Sequence, residues 1–325
     1  MKTKYHLWKT AFIWMAAALL NAGNVNAQQS PIYSQYSLNG FVINPALAGM
    51  DGTAKFSISV HDYLAGVKNA PMTFTGSANG RLLKKRTQVK GGKLLSGQSG
   101  RVGLGGLVFN DRNGLVHRIG FQFTYAYHID MMASQLSLGL SAALSQTRID
   151  AEHLDFNDPE PLLREGFGNL AYVPDAMLGV VYRKGTSYVG LTASNLFQRS
   201  LNFGEFDYDY VLYRHYYLLG GTNIEAGRNI SFAPSFLAKM TSNLVYQAEI
   251  ATQIDYRDDG WLAVAYRTPD VTSLTIGVRA GKVYIGYCYE YHFGSIRSLS
   301  RGSQEICVLY RIGDTARRYR WTTRY

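Results

Sequence analysis

Two short acid–imidazole groupings, His61-Asp62 and His128-Ile-Asp130, are the residues whose types could carry out catalysis. A histidine beside a carboxylate can move a proton, and with a nucleophile it can drive hydrolysis. Neither grouping has its third member. No serine or cysteine stands in a recognisable nucleophile elbow, no His-x-x-x-His ligand spacing occurs, and no glycine-rich phosphate loop opens a helix. Each of these histidines falls at a turn or strand end, where a solvated imidazole is the expectation. A third grouping, Asp150, Glu152, Asp155, Asp158 and Glu160 with His153, offers the oxygen ligands that calcium takes. The run from Asp155 to Glu160 lacks the sixth-position glycine and closing glutamate of an EF-hand loop, so a solvated acidic loop is the better reading. The chain reads as a non-enzyme with no catalytic residue, metal or cofactor.

The two cysteines, Cys288 and Cys307, are too few for a disulfide framework. Both alternate toward the same side of the final strand pair. Two alternatives stand open: a disulfide joining the last two strands if the residues lie directly opposite, or two unpaired thiols.

These residues need a framework, and its period is two. In 272–280, Leu274, Ile276, Val278 and Ala280 alternate with Thr275, Gly277 and Arg279; in 282–292, Val283, Ile285, Tyr287, Tyr289 and Tyr291 face away from Lys282, Tyr284, Glu290 and His292. About fourteen such runs begin near Lys55, Met72, Arg101, Arg118, Gln135, Ala176, Ser187, Tyr213, Asn229, Asn243, Gly260, Val271, Lys282 and Gly302. Turn dipeptides such as Asn113-Gly114 and Asp259-Gly260 separate them. No run of 18 apolar residues follows the N-terminal segment, so no membrane helix is expected.

At the N-terminus, Lys2, Lys4 and Lys9 precede an apolar run from Trp8 to Leu20, and Val25-Asn-Ala27 suits a signal peptidase. An exported chain with an even number of alternating strands predicts an all-β fold: one transmembrane antiparallel β-barrel. Closure matters because an open edge would leave backbone N–H and C=O groups unpaired in lipid. The expected organisation is a signal peptide over 1–27, an N-terminal segment over 28–50, the outer-membrane barrel over 51–312 and a basic tail over 313–325. Even parity places both termini on the periplasmic side. The long stretches 148–174 and 196–212 then face outward.

Charge sharpens the picture. The formal total of +10 falls to +7 without the three signal lysines. Segment 81–100 holds +6 of this (Arg81, Lys84, Lys85, Arg86, Lys90, Lys93), and 311–325 holds +4, including Arg317, Arg318 and Arg320. The remainder is slightly acidic, so the basic pI does not indicate a nucleic-acid partner. Both patches fall on the expected periplasmic side. There they either dock an acidic partner or anionic headgroups, or are ordinary solvated charge.

The mature chain opens with Pro31-Ile-Tyr-Ser-Gln-Tyr36 and then Asn44-Pro-Ala-Leu-Ala-Gly49. With Tyr33, Ser34, Gln35, Tyr36, Asn44, Pro45 and Gly49 in place, this closely resembles the opening signature of the PorP/SprF family, P-x-[FY]-S-Q-Y followed by N-P-A-x-A-G. Gly66, Ala70-Pro71, Asn110-Asp111, Tyr125-Ala-Tyr127 and Leu138-Gly-Leu140 resemble the family's internal positions. Gly286, Tyr287 and Tyr289, then Gly302, Ser303 and Glu305, resemble its closing pattern, with Gln304 in place of the usual histidine and His61-Asp-Tyr-Leu64 departing from the usual R-x-Q-W-like stretch. The resemblance implies a Bacteroidetes-type outer-membrane component of type IX secretion and gliding machinery. It further implies contact with outer-membrane lipid, with periplasmic ring or peptidoglycan-linked lipoprotein partners, or with a cognate secreted adhesin. The alternative is a transport channel for small or hydrophobic solutes. The opening segment is too polar for lipid and is expected to fold into the lumen as a plug, or else to remain an exposed leader.

Overall fold

The computed structural model describes residues 38–67, 70–90, 93–114, 116–149, 170–198, 200–201, 210–257, 259–293 and 300–313. The expected signal peptide over 1–27, Tyr33 to Tyr36, the acidic cluster from Asp150 to Glu160, and Arg317, Arg318 and Arg320 lie outside these residues.

Fourteen antiparallel strands form the barrel: β1 Ala54–Asp62, β2 Met72–Lys90, β3 Lys93–Asn113, β4 Val116–Met131, β5 Ser134–Ile149, β6 Leu170–Lys184, β7 Ser187–Ser194, β8 His215–Gly221, β9 Ile230–Thr241, β10 Tyr246–Tyr256, β11 Gly260–Arg267, β12 Val271–Ala280, β13 Val283–His292 and β14 Ser303–Ile312. Each strand pairs with the next, and β1 pairs with β14 from Ala54↔Ile312 to Asp62↔Gln304, closing the ring. One short extra strand, Ile224–Glu225, adds to β9, and Ser200–Leu201 pairs with Tyr210–Val211. Among the described residues, no helix is long and apolar enough to cross a membrane. The chain crosses with strands.

The alternation is inside-out relative to a soluble protein. Outward positions carry large apolar side chains: Ile58 is 68% exposed, Leu191 60% and Ile250 65%. Inward positions such as Thr124 and Ser137 are fully buried. Strand direction places exposed Tyr127, Tyr182, Tyr256 and Tyr310 near the end carrying the described termini. Tyr172, Tyr216, Tyr246 and Tyr266 lie near the other end. These are the two aromatic girdles of an outer-membrane barrel.

Two strands start earlier than their patterns suggest. β3 begins at Lys93 rather than near Arg101, and β6 at Leu170 rather than near Ala176, so Pro174 lies within a strand. The first difference changes the basic segment: 81–100 is not a loop but the far part of a β2–β3 hairpin, paired from Lys84↔Ser99 to Lys90↔Lys93. A ribbon that stands beyond the membrane needs no apolar face, so its sequence carries no hydrophobic alternation.

Candidate functional site in the barrel lumen

Two short turns, Gly40–Val42 and Pro45–Leu47, fold inside the ring before β1 begins. Asn44 caps the second turn: its Oδ1 accepts from the Ala46 backbone N–H at 2.9 Å, while Pro45, at the first turn position, has a backbone φ already suited to it. The Asn44 amide donates to Leu191 O at 3.0 Å and to Val180 O at 3.4 Å, tying the cap to β6 and β7. Asn44, Ala46 and Ala48 are fully buried, as is Phe41. Phe41 and Ala48 pack with Leu107 and Ala126, and Ile43 packs with Leu219 and Leu237.

The wall has a recess for this turn. Gly103, Ala126, Gly139 and Gly179 are successive register partners across β3 to β6. They form one inward row of minimal side chains. A Cβ on Gly103 would stand 2.0 Å from Ala48 O, one on Gly139 2.2 Å from Ala46 N, and one on Gly179 2.2 Å from Asn44 Oδ1. Next to the row, His128 Nε2 donates to Ala48 O at 3.0 Å, which leaves Nδ1 facing the Ser137 hydroxyl at 2.8 Å. Gly49 ends the segment at φ +66°, hard against the Gly80 backbone, with its N–H on Asn79 Oδ1 at 3.2 Å. Asn39 donates to Ser57 and Ser77 Oγ at 2.9 and 2.7 Å. The segment thus meets strands on both sides of β2.

Toward the end opposite the described termini, the lumen holds buried charge. Arg267 bridges Glu249 at 2.7 Å and Glu290 at 2.6 Å. His61 lies between Glu290 (3.7 Å) and Glu305 (3.6 Å), just beyond hydrogen-bond reach of both. His61 and His128 are therefore not solvated imidazoles, as their positions in sequence suggest. Both stand near strand ends, His61 next to last in β1 and His128 three residues before the end of β4, yet they point inward and the ring buries them. Below this belt, a cavity of about 300 Å3 extends toward the termini's end, lined by Glu249, Gln253, Asp255, Trp261, Arg279 and Arg311 among others.

The remaining expected residues separate. Ser303 and Glu305 are buried; Ser303 Oγ meets His292 Nε2 at 2.9 Å and accepts the Leu64 N–H at 3.3 Å. Gly302, at φ +98°, lies against Glu290 O, and Gly286 faces inward. Tyr287 faces the bilayer, and the Tyr289 hydroxyl donates to Arg301 O at 2.6 Å. Arg81 leaves the expected docking patch: its side chain is buried and contacts Asp130 at 3.4 Å. Lys84, Lys85, Arg86, Lys90 and Lys93 remain on the hairpin. Cys288 and Cys307 both face the lumen as free thiols. Register sets Cys288 opposite Glu305 and Cys307 opposite Gly286, so the bridge that direct opposition would allow has no such geometry. The inward glycines of β3, β5 and β6, and the pair Glu249–Arg267, escaped the sequence reading. Inward-parity glycines on near-successive strands were the available signal.

A barrel with its opening motif seated against its own inner wall can be compared with known proteins. The family described as type IX secretion system membrane protein PorP/SprF matches residues 25–310. The chain belongs to this family. The match includes the seated Asn44–Gly49 turn. Among solved structures, it is similar to the Ralstonia pickettii toluene transporter TbuX, with a TM-score of 0.50 and 13% identity over 84% of this chain and 93% of that one. It is also similar to the Acinetobacter baumannii outer membrane protein Omp33, with a TM-score of 0.44 and 8% identity over 81% of this chain and 99% of that one. At such identity the likeness to TbuX speaks for the fold alone. No curated protein matches the chain. Family and fold are those of an outer-membrane secretion component.

Proposed function

We propose that this PorP/SprF-family barrel works as a non-enzymatic scaffold in type IX secretion. Its termini's end contacts periplasmic ring or peptidoglycan-linked lipoprotein components, and its opposite loops serve a cognate secreted adhesin. The observation that carries this reading is the seated opening segment. Residues 38–50 occupy the lumen against β3–β7, tied by Asn44 and His128, as a plug would be. A lumen partly occupied by its own chain suits a part that holds partners in place better than one that passes solutes. The competing reading as a solute channel draws on the cavity of about 300 Å3 beside that segment.

A deletion strain assayed for secreted proteins tests the role. General loss of secretion, or loss of one adhesin, supports the scaffold; unchanged secretion overturns it. Liposome permeability of the purified protein separates the second reading: solute flux that rises when 38–50 is removed fits a plug, and high flux through the intact protein fits a channel.

A further inference from the structure

We infer that the lipid-facing side of β2 to β6, at the end opposite the described termini, binds a phosphorylated glycolipid whose acyl chains carry amide or hydroxyl groups. An even strand number sets that end in the outer leaflet. The site faces the membrane and is separate from the secretion contacts proposed above.

Three successive outward rows carry it. Register aligns Asp62, Met72, Arg112, His117, Arg148 and Leu170 across β1 to β6. Arg112 and Arg148 are exposed, with His117 between them. His117 shares the parity of Ile119 and Phe121, which face lipid, whereas Arg118 turns inward to the Ser145 hydroxyl. Among the described residues, the nearest carboxylate on this row is Asp62, two strands from Arg112. One row nearer the membrane centre lie Phe74, Asn110, Ile119, Gln146 and Tyr172. Tyr172 belongs to the aromatic girdle, which marks headgroup depth. The two arginines stand about 7 Å farther out on strands about 10 Å apart, at the level of lipid phosphates. In the third row Gly76 lies between Ile58 and Val108 with no side chain to fill the wall. There the outer surface holds an apolar groove of about 640 Å3, lined by Ile58, Phe74, Val108, Phe121, Leu144 and Tyr172. Acyl chains fit such a groove. Asn110 and Gln146 line it too, and among the described residues neither side-chain amide has a hydrogen-bond partner. Hydrocarbon cannot satisfy them, and an unmet amide is costly. An ester-linked phospholipid offers their carbonyl oxygens no donor at that depth; an amide-linked or hydroxylated acyl chain does.

Native mass spectrometry of the full-length protein, released from detergent micelles, reads which lipids stay bound. The probes are bisphosphorylated hexa-acyl lipid A, the same lipid A with both phosphates removed, and phosphatidylglycerol. One lipid A per barrel is expected to be retained, at least tenfold more tightly than either comparator. The Arg112→Gln, Arg148→Gln double variant should lose at least tenfold. Lys184→Gln, which removes an exposed cation beside the girdle at the opposite end, should change retention less than twofold. Gly76→Leu fills the groove from the lipid side, where its Cβ would meet Val108 Cγ2 at 3.3 Å. It should weaken retention at least fivefold with both arginines in place. Heat-dependent gel mobility confirms that each variant folds. Equal retention of phosphatidylglycerol or of the dephosphorylated lipid overturns the inference. So does unchanged retention in the double variant or in Gly76→Leu, or no retained lipid A at all.

Discussion

Placing a methyl group in the recess tests how tightly the opening segment is held. In Gly139→Ala the new Cβ would stand 2.2 Å from Ala46 N and 2.3 Å from Pro45 C. Ordinary contact begins near 3.4 Å, so something must retreat by more than an ångström. Retreat is blocked along the row, because Gly103 and Gly179 meet the same turn equally closely. If wall and turn share the strain, overpacking costs ~1–3 kcal/mol. Expelling the segment would forfeit the burial of Phe41 and Ile43, ~1.5–3 kcal/mol each, and Asn44's hydrogen bonds, ~1 kcal/mol each. Together that is on the order of 5 kcal/mol or somewhat more. A single alanine should therefore loosen the seat without emptying it. Gly103→Ala with Gly139→Ala brings the cost close to the seat's own stability. Hydrogen exchange by mass spectrometry reads this directly: exchange over 38–50 should rise roughly tenfold per ~1.4 kcal/mol while the barrel strands stay protected. Gly106→Ala is the control, since its Cβ would meet nothing nearer than Gln122 O at 4.0 Å. Unchanged exchange over 38–50 in the double variant, with normal barrel folding, would refute the close-packed seat.

Three other outcomes follow from the lumen. Arg267→Met removes the cation between Glu249 and Glu290 and should cost ~3–5 kcal/mol, read as a lower temperature for the barrel's gel-mobility shift. Arg267→Lys should recover only part of it, because an ammonium cannot reproduce the two-pronged contact. Burial alone raises the Asp51 carboxyl, but Lys55, 2.6 Å away, and Arg311 outweigh it and hold Asp51 well below the usual carboxylate range. A depressed folded value contributes stability that is complete above the unfolded value of ~4 and is lost as pH falls through the folded one. The melting temperature of wild type should therefore fall more steeply below about pH 4 than that of Asp51→Asn. Finally, alkylation of the unfolded, unreduced protein should add two adducts by intact mass, one at each of Cys288 and Cys307; a species adding none would show a bridge.

Much of the barrel was legible because the pattern follows from physics that acts strand by strand. Each membrane strand must show apolar side chains to lipid at every second position, so Leu274, Ile276 and Val278 announce their face without reference to neighbours. The same parity correctly turned Cys288 and Cys307 inward. It failed for Lys84 to Lys93, where no lipid enforces alternation, although Gly91-Gly92 stands as a hairpin signal between the two halves. His61 and His128 were misjudged because a local reading takes a strand end for the end of burial, whereas the ring encloses both.

By itself, then, the sequence determined the strand number, the faces, the family and the presence of a special turn at Asn44–Gly49. Only the tertiary structure decided where that turn sits and why its residues are small. Register is a relation between strands, and only in the closed ring do Gly103, Ala126, Gly139 and Gly179 become a single row. The same closure brings Glu249, Arg267, Glu290 and His61, on four different strands, to one buried level. A two-residue period cannot encode that alignment, because each strand's height against its neighbour is set by pairing along the whole ladder.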